Sequence, residues 1–500
     1  MIDYTLTRRE FVKGCCSAAV VGTAGSTLMF ADDALAAANS HDTVVHLFLR
    51  GGMDGLNLVV PVSGPDRVHY EEARPDLRIE TSGTYGALPL NLANGVATGF
   101  GLHPSATGLR DLWNDSKLAI VHACGMATTV TRSHFDAQLY IDLGTPGKYG
   151  SPSGWITRAW DSRPTSTPAA TMPQLAVAGT QPASLIGAID SLGMSDPRDF
   201  QLNAGAYQWQ MARAGAPAGF RGHNETLVDL WSGQTGIELN GARANASLKT
   251  INSQGYAALP AGWPTGSFAE QLWTIAQSIR FNLGLRFATL DLGGWDTHEG
   301  QGTAGTGYHY YQNKINELSS ALTAFYNELN GTGQMSRVTV VVQSEFGRRV
   351  RANANGGTDH GYGNPLLVLG GAVNGRRFYG QWLGLDPQTL SPTFGDVPVT
   401  TDYRRVFSEV MIRRMANPQI GTIFPGYAGY APLGIMQGTD LAPQAMAAAA
   451  PMMSSPSSST VPEDDTPAGS FATAGPQQDR VVPDWQRRGA VNRMVTRRER

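Results

Sequence analysis

The sequence predicts an α/β fold with a mainly parallel sheet. Short apolar runs recur at Thr43–Leu49, Leu118–Ala123, Leu285–Leu292 and Ser336–Val342, each bounded by turn residues. Such runs suit strands buried on both faces. Segments with helical apolar spacing separate them, at Ser105–Asn114, Phe268–Leu283 and Tyr308–Asn330. Strands alternating with helices build a parallel sheet with helices packed against it.

The N-terminus reads as a targeting segment. Thr7-Arg8-Arg9-Glu10-Phe11-Val12-Lys13 precedes an apolar stretch from Gly14 to Phe30, and Ala34-Leu35-Ala36 supplies an A-x-A cleavage site. The paired arginines followed by Phe and Lys resemble a twin-arginine export signal over residues 1–38, which implies the twin-arginine translocase as a partner and a periplasmic or secreted location. Two of the three cysteines fall in this segment. That leaves Cys124, expected to be a packed thiol without a disulfide.

The first strand, Thr43–Leu49, leads into Arg50-Gly51-Gly52-Met53-Asp54-Gly55. A second strand at Leu118–Ala123 is followed by Arg132-Ser133-His134, where Ser133 is a plausible N-cap. Gln174–Ala178 is a weaker strand, and the pattern then loosens over about 195–266, as in an inserted cap or side lobe. Regularity returns with the helix at Phe268–Leu283. The strand at Leu285–Leu292 runs into Gly293-Gly294-Trp295-Asp296-Thr297-His298. After the helix at Tyr308–Asn330, the strand at Ser336–Val342 leads into a glycine-rich loop holding Glu345, Asp359 and His360. A short strand at Pro365–Leu369 and an Arg-rich helix at Asp402–Met415 complete a domain of residues 39–440. The segment 441–500 turns to Ala, Met, Ser and Pro, the composition of a disordered tail.

In such sheets ligands sit beyond the carboxyl ends of the strands. The strand-end loops carry Asp54, the Asp296-x-His298 pair, Glu345 and the adjacent Asp359-His360. Carboxylates and imidazoles are common ligands of catalytic metals. A pair of ions about 3.5–4 Å apart needs bridging carboxylates plus histidines, which this set contains. Each residue alone is more often a cap or turn residue; their joint occurrence at four strand ends carries the reading.

Gly51-Gly52-Met53-Asp54-Gly55-Leu56-Asn57, Arg132-Ser133-His134-Phe135-Asp136, Gly294-Trp295-Asp296-Thr297-His298, Ser344-Glu345-Phe346-Gly347-Arg348 and Gly357-Thr358-Asp359-His360-Gly361 resemble, in order, the motifs of the bacterial domain of unknown function family 1501. That family is placed in the alkaline phosphatase-like superfamily. The resemblance implies a three-layer α/β/α sandwich with a metal site at one sheet edge. By motif order, Asp54 resembles the first metal-binding aspartate, Asp296 and His298 the later Asp/His pair, and Asp359-His360 the final histidine ligand. Glu345 stands where the superfamily usually has Asp-His. A site short of one histidine is richer in oxygen, which shifts the expected divalent metal, one or two ions, toward Mn, Mg or Ca over Zn.

Ser133, at a helix N-terminus, is the candidate nucleophile, with an N-cap as the alternative. His134 beside it is a candidate ligand or acid/base group. Arg132, Arg348, Arg349 and Arg351 are candidates for recognising a phosphate or sulfate, with ion pairing as the alternative. These expectations describe an exported metal-dependent hydrolase of small phosphate or sulfate esters; the alternative is a secreted binding or surface-assembly protein without catalysis. A net charge of −3 gives no reason to expect nucleic acid, and no apolar segment after the N-terminus is long enough to span a bilayer. Nucleophile-elbow and P-loop motifs are missing, and Cys124-Gly125-Met126-Ala127 lacks the pattern of formylglycine sulfatases.

Overall fold

The computed structural model describes residues 41–194, 229–235, 238–239, 241–242 and 257–445. The expected export signal lies outside them, as do most of the expected inserted lobe and the tail from residue 446 onward.

Thr43–Leu49 forms strand β1, with all seven residues buried. They alternate between two cores, Val45, Leu47 and Leu49 in one and Val44 and Phe48 in the other. A strand covered on both sides needs apolar residues at successive positions, which is why it reads as an unbroken run. The same sheet contains β2 (Leu118–Gly125), β3 (Gln174–Ala176), β4 (Ser191–Gly193), β5 (Phe287–Leu292), β6 (Val338–Ser344), β7 (Asn364–Gly370), β8 (Arg377–Tyr379) and β9 (Thr401–Asp402). Their order is β8-β2-β7-β6-β1-β5-β3-β4, with β9 also beside β2. Pairings are parallel except those of β7, which runs antiparallel to β2 and β6.

Helices cover both faces: α1 (Thr107–Asn114), α2 (His134–Leu143), α3 (Trp155–Asp161), α4 (Ser267–Arg280), α5 (Tyr310–Gly331) and α6 (Tyr403–Met415). Apolar stripes of α1, α4 and α5 pack with Val45, Leu47 and Val340, whereas those of α2, α3 and α6 pack with Val44, Phe48 and Val341. The result is the expected three-layer α/β/α sandwich. Each buried Leu, Val or Phe contributes about 1.5–3 kcal/mol, so the two cores make the sheet a rigid platform. Cys124 is a buried free thiol, and burial pushes its pKa up, as a packed thiol requires. Among the described residues no helix is long and apolar enough to cross a membrane.

Two features depart from the sequence reading. Val59–Pro61, Leu88–Asn91 and Ala97–Leu102 form a separate three-stranded sheet where no strand was expected. The glycine-rich segment before β7 is not an open loop but a hairpin of Arg348–Ala352 against Thr358–His360. Gly356 in its turn has φ +68°, a conformation that an Asn-Gly sequence favours.

Strand register brings the loops together. Leu49 lies opposite both Leu292 and Ser344, so β1, β5 and β6 end at one level. Because β7 is antiparallel, its first residue, Asn364, meets Cys124 near the end of β2 at that same edge.

Candidate metal centre

The strand-end loops are pinned to one another before any functional group is placed. Gly51 N–H donates to Glu345 Oε1 at 2.8 Å, and Met53 N–H donates to Ser344 Oγ at 2.9 Å. Gly51, at φ +122°, packs so closely that a Cβ there would lie 2.5 Å from the Asp296 nitrogen. Only glycine fits that approach. Arg348 binds the cluster from below. Its side chain is fully buried and donates to the carbonyls of Gly52, Thr358, Gly51 and Trp295 and to Asp296 Oδ1 at 2.6 Å.

On this frame three histidines converge. His134 opens α2, His298 follows β5, and His360 ends the hairpin. Each Nδ1 faces an acceptor: Glu345 Oε1 at 2.7 Å for His134, Asp359 Oδ1 at 3.2 Å for His298, and the Arg132 carbonyl at 2.7 Å for His360. Carboxylates and carbonyls only accept, so these partners assign the proton of each neutral ring to Nδ1. The lone pairs are then on Nε2, and those atoms meet. His360 Nε2 lies 2.9 Å from His134 Nε2 and 2.8 Å from His298 Nε2. Asp296 Oδ1 lies 3.4, 3.2 and 3.4 Å from the Nε2 atoms of His134, His298 and His360.

Lone pairs that face one another repel, and one added proton relieves a single contact. A cation relieves all of them. The donor chemistry and the outward Nδ1–H partners would suit a metal ion, whose histidine ligands have the second ring nitrogen held by a carboxylate or carbonyl. His134, Asp296 and His360 offer donor atoms all within 4.8 Å of one another, and His298 touches two of them.

The electrostatics follow from this arrangement. Burial opposes a charge on His134, but the Glu345 hydrogen bond and the charges of Glu345 and Asp296 raise its pKa above the ordinary value. Burial lowers the pKa of His360, against the Arg132 carbonyl bond and with the help of nearby cationic groups. Asp296 stays ionised because the Arg348 bond and charge outweigh its burial. Glu345 is also held below its usual range: burial works against it, but bonds from His134, Gln138 and the Gly51 amide prevail. For Asp359 the Asn353 hydrogen bond is the main cause of a lowered pKa.

Several expected roles change. Glu345 is not placed as a ligand; it is fully buried and orients His134 through Oε1 while Ser344 Oγ donates to Oε2 at 2.9 Å. Asp359 stands in the same relation to His298. Asp54 is not brought to the cluster: it is fully buried, paired with Arg74 Nη1 at 2.6 Å, and accepts from Gln301 Nε2 at 2.6 Å. Ser133 takes the alternative role, its Oγ capping α2 by accepting from Asp136 N–H at 3.3 Å. All three guanidinium nitrogens of Arg348 are engaged within the fold. Arg132 is tied to the His360 carbonyl and to Asp396. Arg349, 31% exposed and 3.8 Å from Asp359 Oδ2, and the exposed Arg351 remain the freer arginines.

Three supporting residues escaped the sequence reading. Gln138 donates to Glu345 at 3.0 Å; its place one turn after His134 on α2 is the signal that could have found it. Asn353 holds both the His298 carbonyl and Asp359, and Arg74 neutralises Asp54. Neither has a local sequence signal: Arg74 lies 20 residues from Asp54, and Asn353 meets Asp359 only across the hairpin turn and His298 from 55 residues away.

The model of a family described as "Protein of unknown function (DUF1501)" matches residues 240–409. That span holds Asp296, His298, Glu345, Arg348, Arg349, Asp359 and His360, and it agrees with the motif resemblance there; Asp54 and Ser133-His134 precede it. No curated protein matches the chain. Among solved structures, it resembles a protein in the alkaline phosphatase superfamily from Vibrio parahaemolyticus at 9% identity and TM-score 0.28, over 68% of this chain and 63% of that one. A sulfatase from Pseudoalteromonas sp. gives 10% identity and TM-score 0.29, over 68% of this chain and 64% of that one. A phosphonate monoester hydrolase from Silicibacter pomeroyi gives 11% identity and TM-score 0.26, over 77% and 73%. The chain therefore spans less than two thirds of the length of the first two. Likeness at these scores assigns no activity.

Proposed function

We propose that the chain is an exported metal-dependent hydrolase of phosphate or sulfate esters, with one divalent ion held by His134, His298, His360 and Asp296. The observation that carries this is the meeting of three Nε2 atoms on Asp296 Oδ1, each ring held from behind by an acceptor. Export rests on the Thr7–Lys13 segment.

The donor set revises the expected metal. With Glu345 behind His134 rather than in a histidine's place, the site is rich in nitrogen. Three imidazoles and a carboxylate favour Zn or a similar transition ion over Mg or Ca. A divalent ion there supplies Lewis-acid polarisation of an ester oxygen and neutralises charge. The chain's own groups do the rest. Glu345, Asp359 and the Arg132 carbonyl keep the three imidazoles aimed, each Nε2 turned toward the others. Arg349 and Arg351 line a cleft of about 350 Å³ that also includes Asp359 and Phe394, and we assign them to meet an anionic substrate. Because Ser133 Oγ caps its helix, we assign the nucleophile to water.

A non-catalytic metal-binding protein is the second reading, favoured by the engagement of all three Arg348 guanidinium nitrogens within the fold and by the capping role of Ser133. Turnover of a panel of phosphate monoesters, phosphate diesters and sulfate esters by metal-loaded protein separates the two. The hydrolase reading predicts turnover of one class that disappears on chelation. Ser133→Ala should keep that turnover within a few-fold while losing about 1 kcal/mol of stability from the cap. No turnover of any class supports the binding reading, and loss of turnover on Ser133→Ala at full metal content restores the serine as nucleophile.

A further inference from the structure

A second polar cluster lies at the other edge of the main sheet, where β1, β5 and β6 begin. A cleft of about 160 Å³ opens there, lined by His41, Asp42, Arg163, Arg286, Arg337 and Arg414 among others. Arg286 immediately precedes β5 and Arg337 precedes β6, so strand register sets them on either side of the start of β1, at the sheet edge opposite the His134–His360 cluster. At about 3.3 Å per residue, a seven-residue strand puts roughly 20 Å between the two places.

Charge in this cleft is unbalanced. Four guanidiniums and one carboxylate line it; Asp190 and Asp161 act on Arg163 from outside the lining, and Asp42 is already shared between Arg414 and Arg337, the latter at 3.4 Å. Arg163 is engaged with Trp160, stacking 3.7 Å from the ring and donating to the Trp160 carbonyl at 2.7 Å. Arg286 has no equivalent. It is only 5% exposed, and its Nε and Nη2 are buried without a hydrogen-bond partner. Burying an unpaired cation is costly, and native structures rarely leave one without a compensating group. Burial also lowers the Arg286 pKa to about 10, against the pull of Asp42. His41 is held neutral, its pKa brought to about 4 by burial and by Arg286 and Arg337.

We propose that this cleft is a second ligand site, taking a small tetrahedral oxyanion of the phosphate or sulfate class with Arg286 as its buried anchor. Guanidinium forks match such oxyanions and form charge-assisted bonds with them. The cleft has room for an oxyanion with several waters. The assignment stands independently of the hydrolase reading, because the two places share no residue.

Calorimetric titration of the full chain with inorganic phosphate, and separately with inorganic sulfate, tests it. His360→Ala serves as the background, so that an anion bound at the metal centre does not contribute. We expect binding of at least one of the two anions in that background. Adding Arg286→Met should weaken it roughly tenfold or more, the scale of one hydrogen bond to a charged group. Without the anion, Arg286→Met should raise the unfolding midpoint, because a buried unpaired charge is gone. Arg337→Met, at a side chain 45% exposed, should weaken binding by a smaller factor and carries the test if Arg286→Met does not fold. Failure of both anions to bind in the His360→Ala background, or unchanged affinity in the arginine variants, overturns the proposal.

Discussion

His360→Ala is expected to abolish stoichiometric metal binding while leaving the chain folded. The His360 ring is central to the cluster, its Nε2 being the atom that touches both other imidazoles and Asp296. Replacing an outer partner of a metal ligand typically costs 10–100-fold in affinity. Loss of His360 should therefore exceed about 100-fold, whereas Glu345→Gln should fall within the 10–100-fold range. The graded pair separates the two roles. Glutamine keeps the size of Glu345 but withdraws the charge that makes His134 a stronger donor, and the ring is still held in place. Titration of the metal-free proteins with Zn, followed by competition with a chelator, reads both. Equal losses for the two variants would mean that Glu345 is itself a ligand.

Asp54→Ala should produce the largest stability change and leave the metal in place. Asp54 and Arg74 are both fully buried, and the Arg74 guanidinium also donates to Asn57 Oδ1 and to the carbonyls of Val350 and Arg349. Removing the carboxylate leaves that cation buried and uncompensated, a loss of about 3–5 kcal/mol. The pair ties the loop after β1 to the hairpin that carries Asp359 and His360, so the strain falls near the site without touching a ligand. Asp54 Oδ1 is buried with no partner, and that atom is what keeps a ligand role worth testing. Urea unfolding and metal content, measured on the same preparation, decide between the roles. Loss of about 3–5 kcal/mol with metal retained fits the ion pair. Loss of metal with unchanged stability makes Asp54 a ligand.

The scaffold was legible because its signal is periodic and local. Thr43–Leu49 is apolar at Val44, Val45 and Leu47–Leu49 and buried throughout, since both faces of β1 are covered, and its expected bounds match the strand. The same logic located β2, β5 and β6. The direction of β7 was not legible, because strand polarity is set by partners far along the chain. The Asn355-Gly356 turn signals a hairpin, yet the glycines around it read equally well as loop. At the site, residue types placed histidines and carboxylates at the correct edge. They did not distinguish a ligand from the group behind it. Glu345 and Asp296 are both carboxylates at strand ends, and only a shift of a few ångströms makes one a partner of Nδ1 and the other a neighbour of Nε2. Arg348 reads as an anion binder because its acceptors are mostly backbone carbonyls from separate loops, which no side-chain pattern encodes.

The central claim is that one ion is held mainly by imidazole. X-ray absorption at the metal edge, on protein loaded with one equivalent of Zn, tests it most directly. The account predicts a four-coordinate N/O shell at about 2.0–2.1 Å with the outer scattering of three imidazole rings. An all-oxygen shell, or failure to retain one equivalent of metal, would contradict it.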